Sequence, residues 1–119
     1  MIQIQAKRVY ENEDKSDGFR ILVDRLWPRG IKKENLHYDL WEKEIAPSTQ
    51  LRQWFHSDET KNWDEFRKKY IQELDDNPET ETFVRTVKNH KKVTLLYALN
   101  NTEQNHADIL KEYLENRLR

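Results

Sequence analysis

Ile2, Ile4 and Ala6 alternate with Gln3, Gln5 and Lys7, the period-two pattern of a half-buried strand that opens the chain. A polar stretch, ENEDKSDG at 11–18, closes on Asp17-Gly18, a turn signal because glycine accepts positive φ. The next segment, FRILVD, carries Ile21, Leu22 and Val23 without interruption, as in a strand covered on both faces. Pro28 and Gly30 end it, since proline donates no backbone hydrogen bond and biases Trp27 away from helix. The stretch 38–45 has two readings, a strand through Leu40 and Glu42 or one helical turn through Trp41 and Ile45, and both stay open.

Beyond it the pattern turns helical. Pro47 and Ser48 start a short helix, with Ser48 as N-cap and Leu51 and Trp54 or Phe55 buried. From about 58 to 74, Trp63, Phe66, Tyr70, Ile71 and Leu74 recur at helical spacing between charged residues. Asn77 and Pro78 read as N-cap and first position of a helix carrying Phe83, Val84 and Val87, with Glu79 and Glu81 favourably placed in its first turn. KKVTLLYALNN is an apolar run rich in β-formers, expected as a buried central strand. Thr102 is the expected cap of a last helix with Ala107, Leu110, Leu114 and Leu118 on one face. Three apolar strands separated by helices predict an α/β fold: one domain over 1–119, its parallel central strands flanked by helices.

Composition changes this picture little. At 119 residues one domain is the natural reading, and although 36% of the residues are charged, four Trp, five Tyr and four Phe argue for a packed core rather than disorder. Twenty-one basic against 22 acidic side chains leave a charge of -1, which counts against nucleic acid as a partner and confines any basic function to a local patch. The absence of cysteine removes disulfides, thiolate nucleophiles and cysteine-ligated metal, and His37 and His90 have no ligand-like partners at fixed spacing, so no metal site is expected. No apolar run is long enough to span a bilayer, which leaves the cytoplasm as the default location. Cofactor and oligomeric state have no signature.

In parallel sheets ligands collect at the carboxyl edge of the strands, and two polar segments are expected there. In the first, 24–30, Arg25 and Arg29 offer forked donors to a phosphate or carboxylate, and Gly30 lets backbone approach a ligand. The alternative is that the arginines pair with Asp24 or Glu34 and pin the loop. Asp24 is a candidate base or imidazole-orienting group, or else an internal salt-bridge partner. In the second segment, 100–106, Asn100 and Asn105 supply amides and His106 a proton-transfer group; capping asparagines and a carbonyl-bonded histidine are the structural alternatives. Arg52, in LRQWFH with Trp54 and His56, is a further ligand candidate or a surface group.

The segments DGFRILVDRLWPRGIKKE, WEKEIAPSTQLRQWFH, WDEFRKKYIQEL and VTLLYALNNTEQNHADILKEYL resemble, in order and over nearly the whole chain, the YeaO-like branch of domain of unknown function 488. The resemblance implies a small bacterial α/β protein. A longer branch of that family carries Cys-His-Arg after the corresponding late strand, where this chain has Asn105-His106-Ala107, so the resemblance leaves His106 and no thiol. The VDRLWPRG turn resembles that branch's Asp-Val-Arg turn, implying that Asp24 and Arg25 face the same pocket as His106.

The leading expectation is a protein that binds a small anion, a nucleotide or phosphorylated metabolite, between the two edge segments. If it catalyses a reaction, His106 is the acid or base and Asp24 its orienting partner. The second class is a non-enzymatic nucleic-acid or protein interaction module using Arg29, Lys32, Lys33 and exposed aromatics.

Overall fold

The computed structural model describes residues 2–118. Its sheet contains β1 (Gln3–Arg8), β2 (Phe19–Leu22), β3 (Leu40–Trp41) and β4 (Lys92–Tyr97) in the order β1-β4-β2-β3. Every neighbouring pair is parallel, so all four carboxyl ends lie at one edge. Helices α1 (Thr49–Ser57), α2 (Glu59–Asp76) and α3 (Glu79–Lys88) separate β3 from β4, and α4 (His106–Arg117) follows β4.

Most boundaries have the expected chemistry. Ser48 caps α1 by accepting from the Leu51 N–H, while its own hydroxyl donates to Glu73 at 2.6 Å. Asn77 accepts from the Glu79 N–H, and Pro78 already has helical dihedrals, φ -63° and ψ -21°. The ambiguous stretch 38–45 resolves into the two-residue strand β3 and a 3-10 turn, Lys43–Ile45. The cap of α4 is a correction: Asn105 accepts the Asp108 N–H at 2.9 Å, and Thr102 lies in the preceding loop. Asn101 is the reason, because its side chain accepts the N–H groups of Glu103 and Gln104 and makes a turn there, which delays the helix.

Alternation along the central strands divides the core. Val93, Leu95 and Tyr97, with Ile21 and Val23, belong to one cluster with the buried residues of all four helices. Leu96 and Leu22 join Val9 and Leu36 in a second cluster that contains no helical residue. Trp27, Ile31, Tyr38 and Trp41 pack against it. The opposite face of the sheet is therefore covered by connecting segments.

Beside this aromatic cover lies a polar clamp on the same face. Thr94 donates to the Asp17 carbonyl oxygen at 2.6 Å, and Gln5 donates to both Thr94 and Asp17. Asp17, 1% exposed, pairs with the buried guanidinium of Arg20 and with Lys7 at 3.1 Å. Burial pushes its carboxyl up, but the Asp14 N–H, Lys7 and Arg20 outweigh that and hold it below its ordinary value. Gly18 completes the clamp at φ 66° and ψ -134°, and a Cβ there would stand 2.4 Å from the Lys92 carbonyl oxygen. Only glycine fits.

Replacing Asp17 by Asn leaves Arg20 buried without its counter-charge, and the expected loss in urea denaturation is about 3–5 kcal/mol. Because the folded carboxyl titrates below the unfolded one, the clamp contributes fully above about pH 4 and fades as pH falls through the depressed folded value. The variant should lose that share of the acid limb of the stability curve; an unchanged acid limb would count against the clamp.

Candidate functional site

A cavity of about 490 Å³ opens at the carboxyl edge of the sheet. Each strand's continuation contributes to its wall: Tyr10 after β1, 24–29 after β2, Ala46 and Pro47 after β3, and 98–100 with His106 after β4. Arg52, Phe55 and His56 of α1 and Phe66 of α2 complete it.

Asp24 is fixed by two neighbours. Its Oδ2 accepts the Ala98 N–H at 3.0 Å, and its Oδ1 lies 3.2 Å from Nε2 of His106. That contact is not a hydrogen bond, because Nε2 is directed at the Val23 carbonyl oxygen at 3.0 Å, and Oδ1 is left without a donor. A carbonyl can only accept, so Nε2 carries a proton and Nδ1 is the nitrogen free to exchange one. Tyr70 packs edge-on to the imidazole, with ring centroids 6.3 Å apart. Burial raises the Tyr70 phenol well above its ordinary range, so the hydroxyl stays protonated and donates to the Ile45 carbonyl oxygen at 2.7 Å.

The arginines differ in their employment. Arg25 donates to the carbonyl oxygens of Pro47 and Ala46, at 3.2 and 3.0 Å, tying the turn after β2 to the start of α1. It pins the loop, through carbonyls rather than acids. Arg29 is exposed on the rim, where its carbonyl oxygen accepts from Tyr10 at 2.9 Å. Arg52 projects from α1 with its Nε buried and without an acceptor. His56 is held by Glu59 at 2.8 Å.

The expected candidates thus divide. Asp24, Arg25, Arg29, Arg52, Asn100 and His106 meet at one cavity, with the Asn100 Oδ1 already accepting from Arg8 at 2.8 Å. Asn105 is fully buried and caps α4 behind the wall; its amide also donates to Asp108, whose carboxyl is raised by burial. Gly30, at φ 78°, lines a second hollow of about 330 Å³ with Arg20 and His37. Of the basic residues expected on an interaction surface, Lys33 sits over the rings of Trp27 and Trp41. Among the described residues no group of three or more histidines and carboxylates is placed to hold a metal ion, and no helix is long and apolar enough to cross a membrane.

Residue-level reading of the sequence did not find Arg8, Tyr10 or Leu26. Arg8 holds the turn after β4 through the carbonyl oxygens of Ala98 and Leu99 and stacks on Tyr10 at 4.8 Å. Tyr10 and Leu26, 45% and 62% exposed, are the large hydrophobic side chains left exposed among the described residues, and both lie on this cavity. The signal for Tyr10 was available: it lies two residues beyond β1, on the edge where ligands collect.

If Arg25 is a structural tie, Arg25→Ala leaves two carbonyl groups without donors and should cost about 1–3 kcal/mol in chemical denaturation. Arg29→Ala, at an exposed guanidinium, should stay within about 0.5 kcal/mol of wild type. Equal effects would contradict this division.

A family model described as "Inactive DUF488-N3 subclade" matches residues 3–119. The Escherichia coli (strain K12) "Uncharacterized protein YeaO" is 48% identical over 113 residues, covering 95% of this chain and 97% of its own. "Uncharacterized protein Mb3100c" of Mycobacterium bovis and "Uncharacterized protein Rv3073c" of Mycobacterium tuberculosis (strain ATCC 25618 / H37Rv) are each 36% identical over 115 residues, covering 97% of this chain and 96% of their own. No solved structure matches.

Proposed function

The chain belongs to the inactive DUF488-N3 subclade, and from that premise we propose that it binds a small anionic ligand, a nucleotide or phosphorylated metabolite, at the carboxyl-edge cavity without turning it over. The observation that carries the reading is Arg52. Its Nε–H is buried, has no acceptor, and belongs to a residue of a cavity that also holds Arg25, Arg29, His56 and His106 against a single carboxylate, Asp24. A buried guanidinium donor is costly when unmatched, and an anion is the partner that matches it best. Arg29 meets the anion from the rim, and Arg25 contributes charge while it holds the wall.

The size and lining support an organic anion over a bare ion. About 490 Å³ lies within the range of small-molecule sites, and Phe55, Phe66, Tyr10 and Leu26 give it apolar surface. With its Nε2 proton given to the Val23 carbonyl oxygen, His106 keeps Nδ1 as an acceptor for a hydrogen bond from the ligand. Position 105, where the longer branch carries cysteine, is an asparagine spent on capping α4, in keeping with the family's description as inactive.

Thermal-shift measurements against nucleotides and phosphorylated metabolites test the reading. A ligand at one hundred times its Kd stabilises the fold by about 2.7 kcal/mol, which should raise the melting temperature by roughly 10 °C. The rise should shrink in Arg52→Ala and Arg29→Ala. The proposal fails if no compound shifts the wild type, or if an oligonucleotide shifts it more than any mononucleotide with steep salt dependence.

A further inference from the structure

We infer that the ligand of this cavity carries a hydroxyl group as well as an anionic one, making it a phosphorylated sugar or polyol, the ribose phosphate of a nucleotide included, and that Asp24 Oδ1 is the atom that reads the hydroxyl. The inference rests on the anion-binding reading and deepens it.

Two buried side-chain polar atoms among the described residues lack a hydrogen-bond partner, Asp24 Oδ1 and Arg52 Nε, and both residues line this one cavity. One is an acceptor and the other a donor. Within the protein Oδ1 of Asp24 cannot be satisfied by a small turn of its own side chain at no cost. Asp24 is anchored by the bond from the Ala98 N–H to its Oδ2, and rotating the carboxylate would break it. His106, the nearest donor to Oδ1, gives its Nε2 proton to the Val23 carbonyl oxygen.

A site for a bare anion would gain nothing from such a carboxylate. Its charge repels phosphate, and its unmatched oxygen costs free energy in the empty protein. Both penalties become an advantage if the ligand brings an O–H. The hydroxyl donates to Oδ1, the phosphate takes the Arg52 Nε–H, and a ligand lacking either group leaves a buried atom unmatched. Sites of this construction reject an analogue without the hydroxyl strongly.

Titration calorimetry of the full chain with glycerol 3-phosphate and propyl phosphate separates the terms, because the two probes share the phosphate and carbon skeleton and differ in hydroxyls. Wild type should bind glycerol 3-phosphate at least about tenfold more tightly, the difference expected for a hydrogen bond to a charged acceptor. In Asp24→Asn the amide oxygen keeps the Ala98 N–H and the amide nitrogen replaces Oδ1, a donor where an acceptor stood. The preference should fall to within about twofold while inorganic phosphate binding persists. Equal affinity of the two probes for wild type overturns the inference and leaves anion binding standing; this comparison decides even if the variant does not fold. A preference that survives Asp24→Asn overturns the assignment to Asp24. If neither probe nor inorganic phosphate binds, anion binding falls with it.

Discussion

The constraint on which the structure turns is that an all-parallel sheet must be covered on both faces, and here all four helices serve one of them. The other face is closed by two connections that contain no α-helix. One is a polar clamp, with Asp17 drawing Lys7, Gln5 and Arg20 together over Thr94. The other is an aromatic cover, with Trp27 set edge-on to Tyr38 and Trp41 at 5.6 and 5.4 Å. Breaking the first leaves a charge buried; breaking the second exposes Leu22 and Leu96.

The candidate site inherits its rigidity from that closure. Trp27 donates to the Ile31 carbonyl oxygen and Trp41 to that of Asp24, so the turn after β2 is held from beneath. From above, Arg25 binds it to the segment before α1 and Asp24 binds it to the backbone after β4. The acid and the histidine are thus positioned by backbone contacts. Arg29 and Arg52 are left with guanidinium groups that form no ion pair among the described residues.

Much of this was legible in the residues. The unbroken apolar run at 21–23 and the β-former-rich run at 93–97 announced central strands, and the carboxyl-edge rule then brought Asp24, Arg25, Arg29 and His106 to one place without any knowledge of side-chain contacts. What escaped depended on tertiary partners. β3 exists because two residues, Leu40 and Trp41, pair with Ile21 and Leu22, too short a run for any periodicity to register. Thr102 and Asn105 are both good caps by composition, and the turn built by Asn101 decides between them. Arg25 and Arg52 look alike in the sequence. Only the carbonyl groups of Ala46 and Pro47 make the first a tie and leave the second with an unmatched donor.

Amide chemical-shift mapping during titration with ribose 5-phosphate asks whether an anion settles in the carboxyl-edge cavity. Binding there should give saturable shifts concentrated at residues 24–29, 52–56, 98–100 and 106. Shifts confined to the second hollow around Gly30 and His37, or spread evenly over the basic surface, would contradict it.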